Sequence, residues 1–138
     1  MMDFEIFEHT ADQGIRAYGR SMKDVFINAA MALSTLSTDP AKVLPEEEFD
    51  LEISREEPDE LLVAWLNELI FIQDSEGVYL CKFSIDTFEP AVVKGKAWGE
   101  RIDREKHTPG SCLKAATYHC LKLEKASEGW MAQVIFDV

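Results

Sequence analysis

Apolar residues return at two different spacings along the chain, and the spacing separates two helices from a set of strands. Phe4 and Ile6 alternate in part with Asp3 and Glu5, which predicts a first strand. Ile15, Ala17 and Tyr18 predict a second, short strand after a turn at Asp12-Gln13-Gly14. Ser21 is a good N-cap with Asp24 three residues on, and Val25, Phe26, Ala29, Ala30, Leu33 and Leu36 then follow a helical period. This helix spans about 21 to 36 and is stopped by Ser37-Thr38-Asp39-Pro40. Phe49, Leu51 and Ile53 alternate with acidic and polar residues, the pattern of a half-buried strand. Pro58 suits the first turn of a second helix, with Asp59 and Glu60 at its positive end. Leu61, Leu62, Trp65, Leu66, Leu69, Ile70 and Ile72 make that helix the more apolar of the two, and it stops before Gly77.

The rest reads as strands: Val78 to Phe88, a turn at Pro90, Ala91 to Trp98, Leu113 to Glu124 (strand or helix by pattern, with Thr117, Tyr118 and the Leu121/Leu123 pair favouring strand), and Met131 to Phe136 after a hairpin turn at Ser127-Glu128-Gly129. Gly99 to Gly110 is polar and is expected to be an exposed loop. With no internal repeat and no linker, residues 1–138 read as one α+β domain: two main helices on a largely antiparallel or mixed sheet.

Charge narrows the function. Fourteen Lys and Arg stand against 26 Asp and Glu, a formal net charge of −12. Nucleic-acid surfaces draw on Lys and Arg, so direct binding to nucleic acid is not expected. A role in nucleic-acid metabolism would run through another protein. The acidic run Glu46-Glu47-Glu48 is read as a solvated face. Cys81, Cys112 and Cys120 are odd in number and form no CxxC pair, which disfavours a disulfide framework or zinc knuckle and favours a reducing compartment. The acidic N-terminus lacks an apolar signal core, and no apolar run approaches the ~18 residues of a membrane span, so a cytoplasmic location is expected.

The candidate chemistry lies at the two ends of the chain. Asp12 and Asp137 each sit at the end of a predicted strand, and Val138 follows with the chain's carboxylate. If these ends meet, Asp12, Asp137 and Val138 form an all-oxygen cluster whose charge requires a cation or a proton. A hard divalent cation, Ca²⁺ or Mg²⁺, suits such ligands. The plainer readings are a turn or cap role for Asp12 and a frayed end for Asp137, although the apolar Val134-Ile135-Phe136 argues for an anchored last strand. His9, His107 and His119 lack metal-motif spacing and read as hydrogen-bonded structural residues. A Cys–His nucleophile pair built on Cys112 or Cys120 has no local signature, and hydrolysis by the metal-bound carboxylates finds no accompanying nucleophile or general base in the pattern.

Four blocks resemble the archease family, in the family's order and nearly end to end. They are His9-Thr10-Ala11-Asp12 with Gly14-Ile15-Arg16-Ala17-Tyr18-Gly19, then Leu62-Val63-Ala64-Trp65-Leu66-Asn67-Glu68-Leu69, then Lys114-Ala115-Ala116-Thr117-Tyr118-His119, and finally Ile135-Phe136-Asp137-Val138. The resemblance implies a small α+β protein that is no enzyme itself. It implies a protein cofactor of the tRNA-splicing RNA ligase, promoting that ligase's guanylylation and turnover. It also implies a divalent-metal site, with calcium as the expected ion and Mg²⁺ or Mn²⁺ as alternatives, at Asp12, Asp137 and Val138. A rival reading is a chaperone or modulator of other tRNA-modifying enzymes, such as a methyltransferase. Two positions depart from the family pattern: Gln13 replaces a usual aliphatic residue, and Cys112 stands where many members carry an acid. Glu100 is a candidate to supply that missing carboxylate.

Overall fold

A computed structural model describes residues 3–9 and 12–138. In chain order the elements are β1 (Phe4–His9), β2 (Asp12–Gly19), α1 (Met22–Ser37), a 3-10 turn (Pro40–Lys42), β3 (Glu47–Ser54), α2 (Pro58–Glu76), β4 (Val78–Glu89), β5 (Val92–Arg101), β6 (Ala115–Ala116), β7 (Lys122–Ala126) and β8 (Gly129–Asp137). The α+β class holds, but the strands divide into two sheets. A five-stranded sheet runs β1-β2-β8-β6, with β7 also paired to β8, and a three-stranded sheet runs β3-β5-β4. The division follows from which edges are taken: β5 is flanked by β3 and β4, while β8 is flanked by β2 on one side and by β6 and β7 on the other. Every one of these pairings is antiparallel.

Both helices form where the pattern places them, and their ends show why. The Ser21 hydroxyl accepts from the Asp24 N–H at 3.2 Å, capping α1. Pro58 occupies the first turn of α2, and Gly77 closes it in the left-handed region at φ 65°. The carboxyl end of α1 has no basic residue and no glycine cap. Its last carbonyls are instead taken by a distant segment: Gly110 N–H donates to Ser37 O and Ser111 N–H to Leu36 O. The core lies between the helices and the two sheets. Trp65, Phe26 and Phe136 are its largest fully buried side chains, and the Trp65 indole donates to Phe26 O at 3.0 Å. None of the three cysteines forms a disulfide. No described helix is long and apolar enough to cross a membrane.

Three expected elements differ. Residues 12–14 belong to β2 and are not a turn, while Thr10 and Ala11, which link β1 to β2, lie outside the described residues. Leu113 to Glu124 is not one strand: only β6 and β7 are extended, and a turn separates them. There the Thr117 hydroxyl donates to Ile135 O and accepts from His119 N–H, so local side-chain bonding displaces the ladder. Gly99 to Arg101 continue β5, and Glu100 and His107 are buried, so this stretch is not the exposed loop that its polarity predicts.

The short strand β6 is held from the side by α2. Asn67 donates to Ala116 O at 3.3 Å and accepts from Ala116 N–H at 2.7 Å, standing in for a further strand at that edge. Asn67→Ala is expected to lower stability by about 1–3 kcal/mol, the cost of unpairing those half-buried groups. Urea unfolding followed by circular dichroism measures it.

Candidate metal centre at the strand ends

The pairing of β2 with β8 decides whether the chain's two ends meet. Their register runs from Gly19↔Trp130 to Gln13↔Phe136. The ladder ends at Gln13↔Phe136, and the next residues on the two strands are Asp12 and Asp137. Opposed residues of an antiparallel pair lie about 4.5–5.5 Å apart at Cα, and their side chains share a face. Asp137 is also anchored on its other side, by pairing with Ala115 and by its carbonyl accepting from Lys114 N–H at 2.8 Å. The end of β8 is therefore an interior position of the sheet, and the fraying expected of a penultimate residue does not apply. Val138 follows, partly exposed.

Alternation assigns the faces. Ile15, Ala17, Ala132, Val134 and Phe136 belong to the core, so Asp12, Gly14, Arg16, Gln133, Ile135 and Asp137 line the opposite face. Strand β1 extends that face into rows. Phe7, Gly14 and Ile135 form one row, and Glu5, Arg16 and Gln133 the next. The second row is bonded across three strands: Arg16 Nε donates to Gln133 Oε1 at 3.0 Å, and Arg16 Nη1 donates to Glu5 Oε1 at 3.1 Å. The Tyr18 hydroxyl donates to the same Glu5 oxygen. These bonds from Arg16 and then Tyr18 hold the Glu5 carboxyl below the usual carboxylate range. Burial, and then Glu5, push the Tyr18 phenol up.

The donor set suits a hard cation, since it consists of carboxylate oxygens alone. Among the described residues no three His, Cys, Asp or Glu side chains cluster at metal-binding distance. The register of β2 and β8 leads two such side chains, Asp12 and Asp137, towards the same end of the sheet, and Val138 follows Asp137. Cys112 brings no carboxylate of its own; it lines a cleft of about 250 Å³ that also includes Gln73 and Asp74.

Glu100 is committed elsewhere and does not replace an acid at Cys112. On β5, in the other sheet, its Oε1 accepts from Lys106 Nζ at 2.6 Å, His107 Nε2 at 2.8 Å and Leu44 N–H at 3.1 Å. His107 Nδ1 in turn accepts from Asp103 N–H at 3.0 Å, which puts the ring hydrogen on Nε2, towards Glu100. The structural role expected for histidine is thus met at His107. Sequence gave no sign of this buried cluster, because Glu100 breaks the in–out alternation of β5. Lys106 above all, opposed by burial and helped by His107 and Leu44 N–H, lowers the Glu100 carboxyl from 4.5 to about 2.

Comparison with known proteins matches residues 4–138 to the archease protein family. A protein archease of Sulfurisphaera tokodaii is 40% identical over 139 residues, covering both chains fully. One from Pyrococcus abyssi is 40% identical over 142 residues, again with full coverage of both. The solution structure of a Methanobacterium thermoautotrophicum protein superposes with TM-score 0.81 at 37% identity over all of both chains. The crystal structure of a Thermotoga maritima protein, described as an archease and possible chaperone, gives TM-score 0.68 at 25% identity over 96% of this chain and 94% of that one.

Because the folded Glu100 carboxyl titrates below its ordinary value of 4.5, its stabilisation is fully present above that value and is lost as pH falls towards about 2. Glu100→Gln is expected to flatten the acid limb of stability against pH in that window. Urea midpoints measured between about pH 5 and pH 2 test this.

Proposed function

The chain belongs to the archease family, and from that membership and the register of its strand ends we propose that it is a metal-binding protein cofactor of the tRNA-splicing RNA ligase. In this reading it promotes the ligase's guanylylation and repeated turnover in tRNA exon joining and RNA repair, works in the cytoplasm, and is not an enzyme. The observation that supports the metal site is the β2–β8 ladder, whose last pair, Gln13↔Phe136, is followed on the two strands by Asp12 and Asp137.

Asp12, Asp137 and the Val138 carboxylate would hold the ion, with Ca²⁺ as the expected occupant and Mg²⁺ or Mn²⁺ as alternatives. When bound, the cation neutralises the clustered negative charge and offers open positions to oxygen ligands of a partner. The chain supplies the rigid spacing, through strands held on both sides. Its net charge of −12 steers it towards a basic, RNA-binding surface, and association of this kind slows as salt rises.

A second reading, favoured by the description of the Thermotoga maritima relative as a possible chaperone, is a modulator of other tRNA-modifying enzymes such as a methyltransferase. Affinity capture discriminates: recovery of a methyltransferase without a ligase supports the second reading. For the first, ligase guanylylation is measured with the wild-type protein, Asp12→Ala and Asp137→Ala. Either substitution is expected to reduce stimulation at least about tenfold, the loss of one charge-assisted ligand. Equal stimulation by both variants removes the metal site from the mechanism.

A further inference from the structure

The two edges of the three-stranded sheet differ. Strand β4 is blunted: its register with β5 shifts twice, between Leu80 and Lys82 and between Ile85 and Thr87, and Leu80 N–H donates to Gln73 Oε1 at 3.2 Å. Strand β3 has no such device. Its eight residues, Glu47 to Ser54, pair with β5 without a shift and include no proline or lysine. In an antiparallel strand every second residue turns its N–H and C=O away from a given neighbour. Half of β3 therefore offers its backbone to the side opposite β5. Among the described residues, the one bond to β3 backbone from outside the β3–β5 ladder is Arg55 Nη1 to Ser54 O, at the strand's last residue. The edge is open along its length.

Side chains that could fold over this edge are tethered across the sheet instead. Glu48 Oε2 and Asp50 Oδ1 accept from Lys96 Nζ at 3.0 and 3.1 Å, and Glu48 Oε1 accepts from Trp98 Nε1 at 3.0 Å. Glu52 pairs with Lys94 at 3.7 Å, and all three partners lie on β5. These acids stay accessible, the Asp50 side chain being 82% exposed. On the other face Leu51 and Ile53 enter the core and Phe49 packs half-buried against it. Residues 46–57 hold seven acids and one base, half of the chain's net charge of −12.

The two faces decide what can pair here. A second copy is disfavoured: β3 against β3 would set Glu48, Asp50 and Glu52 beside acids, and opposed like charges destabilise a sheet. A wholly apolar strand would gain nothing from the acidic row. A strand alternating Lys or Arg with apolar residues suits both faces, its bases beside Glu48, Asp50 and Glu52 and its apolar side chains continuing the row of Phe49, Leu51 and Ile53. We infer that the free edge of β3 is a docking site for an extended segment of a partner protein that alternates basic and apolar residues and joins this sheet as a fourth strand. Asp12 and Asp137 belong to the other sheet, so the docking site stands apart from the metal-binding reading.

The test uses the full chain and an acetylated, amidated octapeptide of alternating lysine and valine. Amide hydrogen exchange is followed by NMR, and affinity by anisotropy of the labelled peptide. In the free protein every second amide between 47 and 54 should exchange fast. The peptide should slow that same set at least about tenfold. A version N-methylated at every residue keeps the charge and loses the donors, and a version with four lysines followed by four valines keeps the composition and loses the alternation. Each should bind at least about tenfold more weakly. The double variant Asp50→Lys with Glu52→Lys should lose affinity by a similar factor, with melting curves reporting its folded fraction. Protection of no β3 amide overturns the inference, as does equal binding of the methylated or block peptide, which would show attraction by charge alone. A dimer seen by sedimentation without peptide, with the fast β3 amides already protected, also overturns it and makes a second copy the occupant.

Discussion

The antiparallel pairing of β2 with β8 is the interaction on which the rest depends. It joins the second strand to the last, and on its inner side sets Ile15 and Ala17 opposite Val134 and Ala132 in the core. Hydrophobic burial there makes the register unforgiving, because a slip of β8 by one residue against β2 would turn Ala132, Val134 and Phe136 away from the face that Ile15 and Ala17 hold. The same register determines the outer face. The positions of Asp12 and Asp137 are thus enforced by apolar side chains on the other side of the sheet, with no need for the two carboxylates to attract each other.

A second constraint ties the two sheets into one body. The segment after β5 folds back through Glu100, Lys106 and His107, then reaches α1, where Gly110 and Ser111 satisfy carbonyls that the helix leaves open. Gly110 fits because a Cβ there would approach Leu36 O to 2.3 Å. Charged groups are seldom buried unless paired, and here burial opposes ionisation of Glu100 while three donors favour it. A stretch rich in Arg, Asp, Glu and Lys therefore performs a structural task that its composition hides.

How much was visible in the sequence depended on whether the signal was local. Helices α1 and α2 were readable because their caps and apolar period are contained within each element: Ser21 at one start, Pro58 and Gly77 at either end of the other. The strands of alternating pattern were readable too, apart from their grouping into two sheets, which depends on edges chosen by distant partners. The segment at Thr117 misled because a β-branched residue used its hydroxyl in a turn. At the strand ends, pattern alone marked Asp12 and Asp137 as separate aspartates with bland explanations; the neighbouring pairs Gln13↔Phe136 and Gly14↔Ile135 join residues more than a hundred positions apart, which no local pattern reveals. The close fit of Gly14 was equally hidden, since the Phe7 ring that occupies the place of its Cβ comes from the neighbouring strand.

The place of β8 bears on how the molecule is made. Synthesis from the amino end produces β1, β2 and α1 first among these elements, yet β8, which completes their sheet, follows all the other described elements, and it is an interior strand with neighbours on both flanks. Until it leaves the ribosome, β2 shows an open edge and α1 lacks part of its apolar floor. Assembly of this sheet is therefore a closing step: the nascent chain must keep its early hairpin from pairing with other chains until β8 has been made.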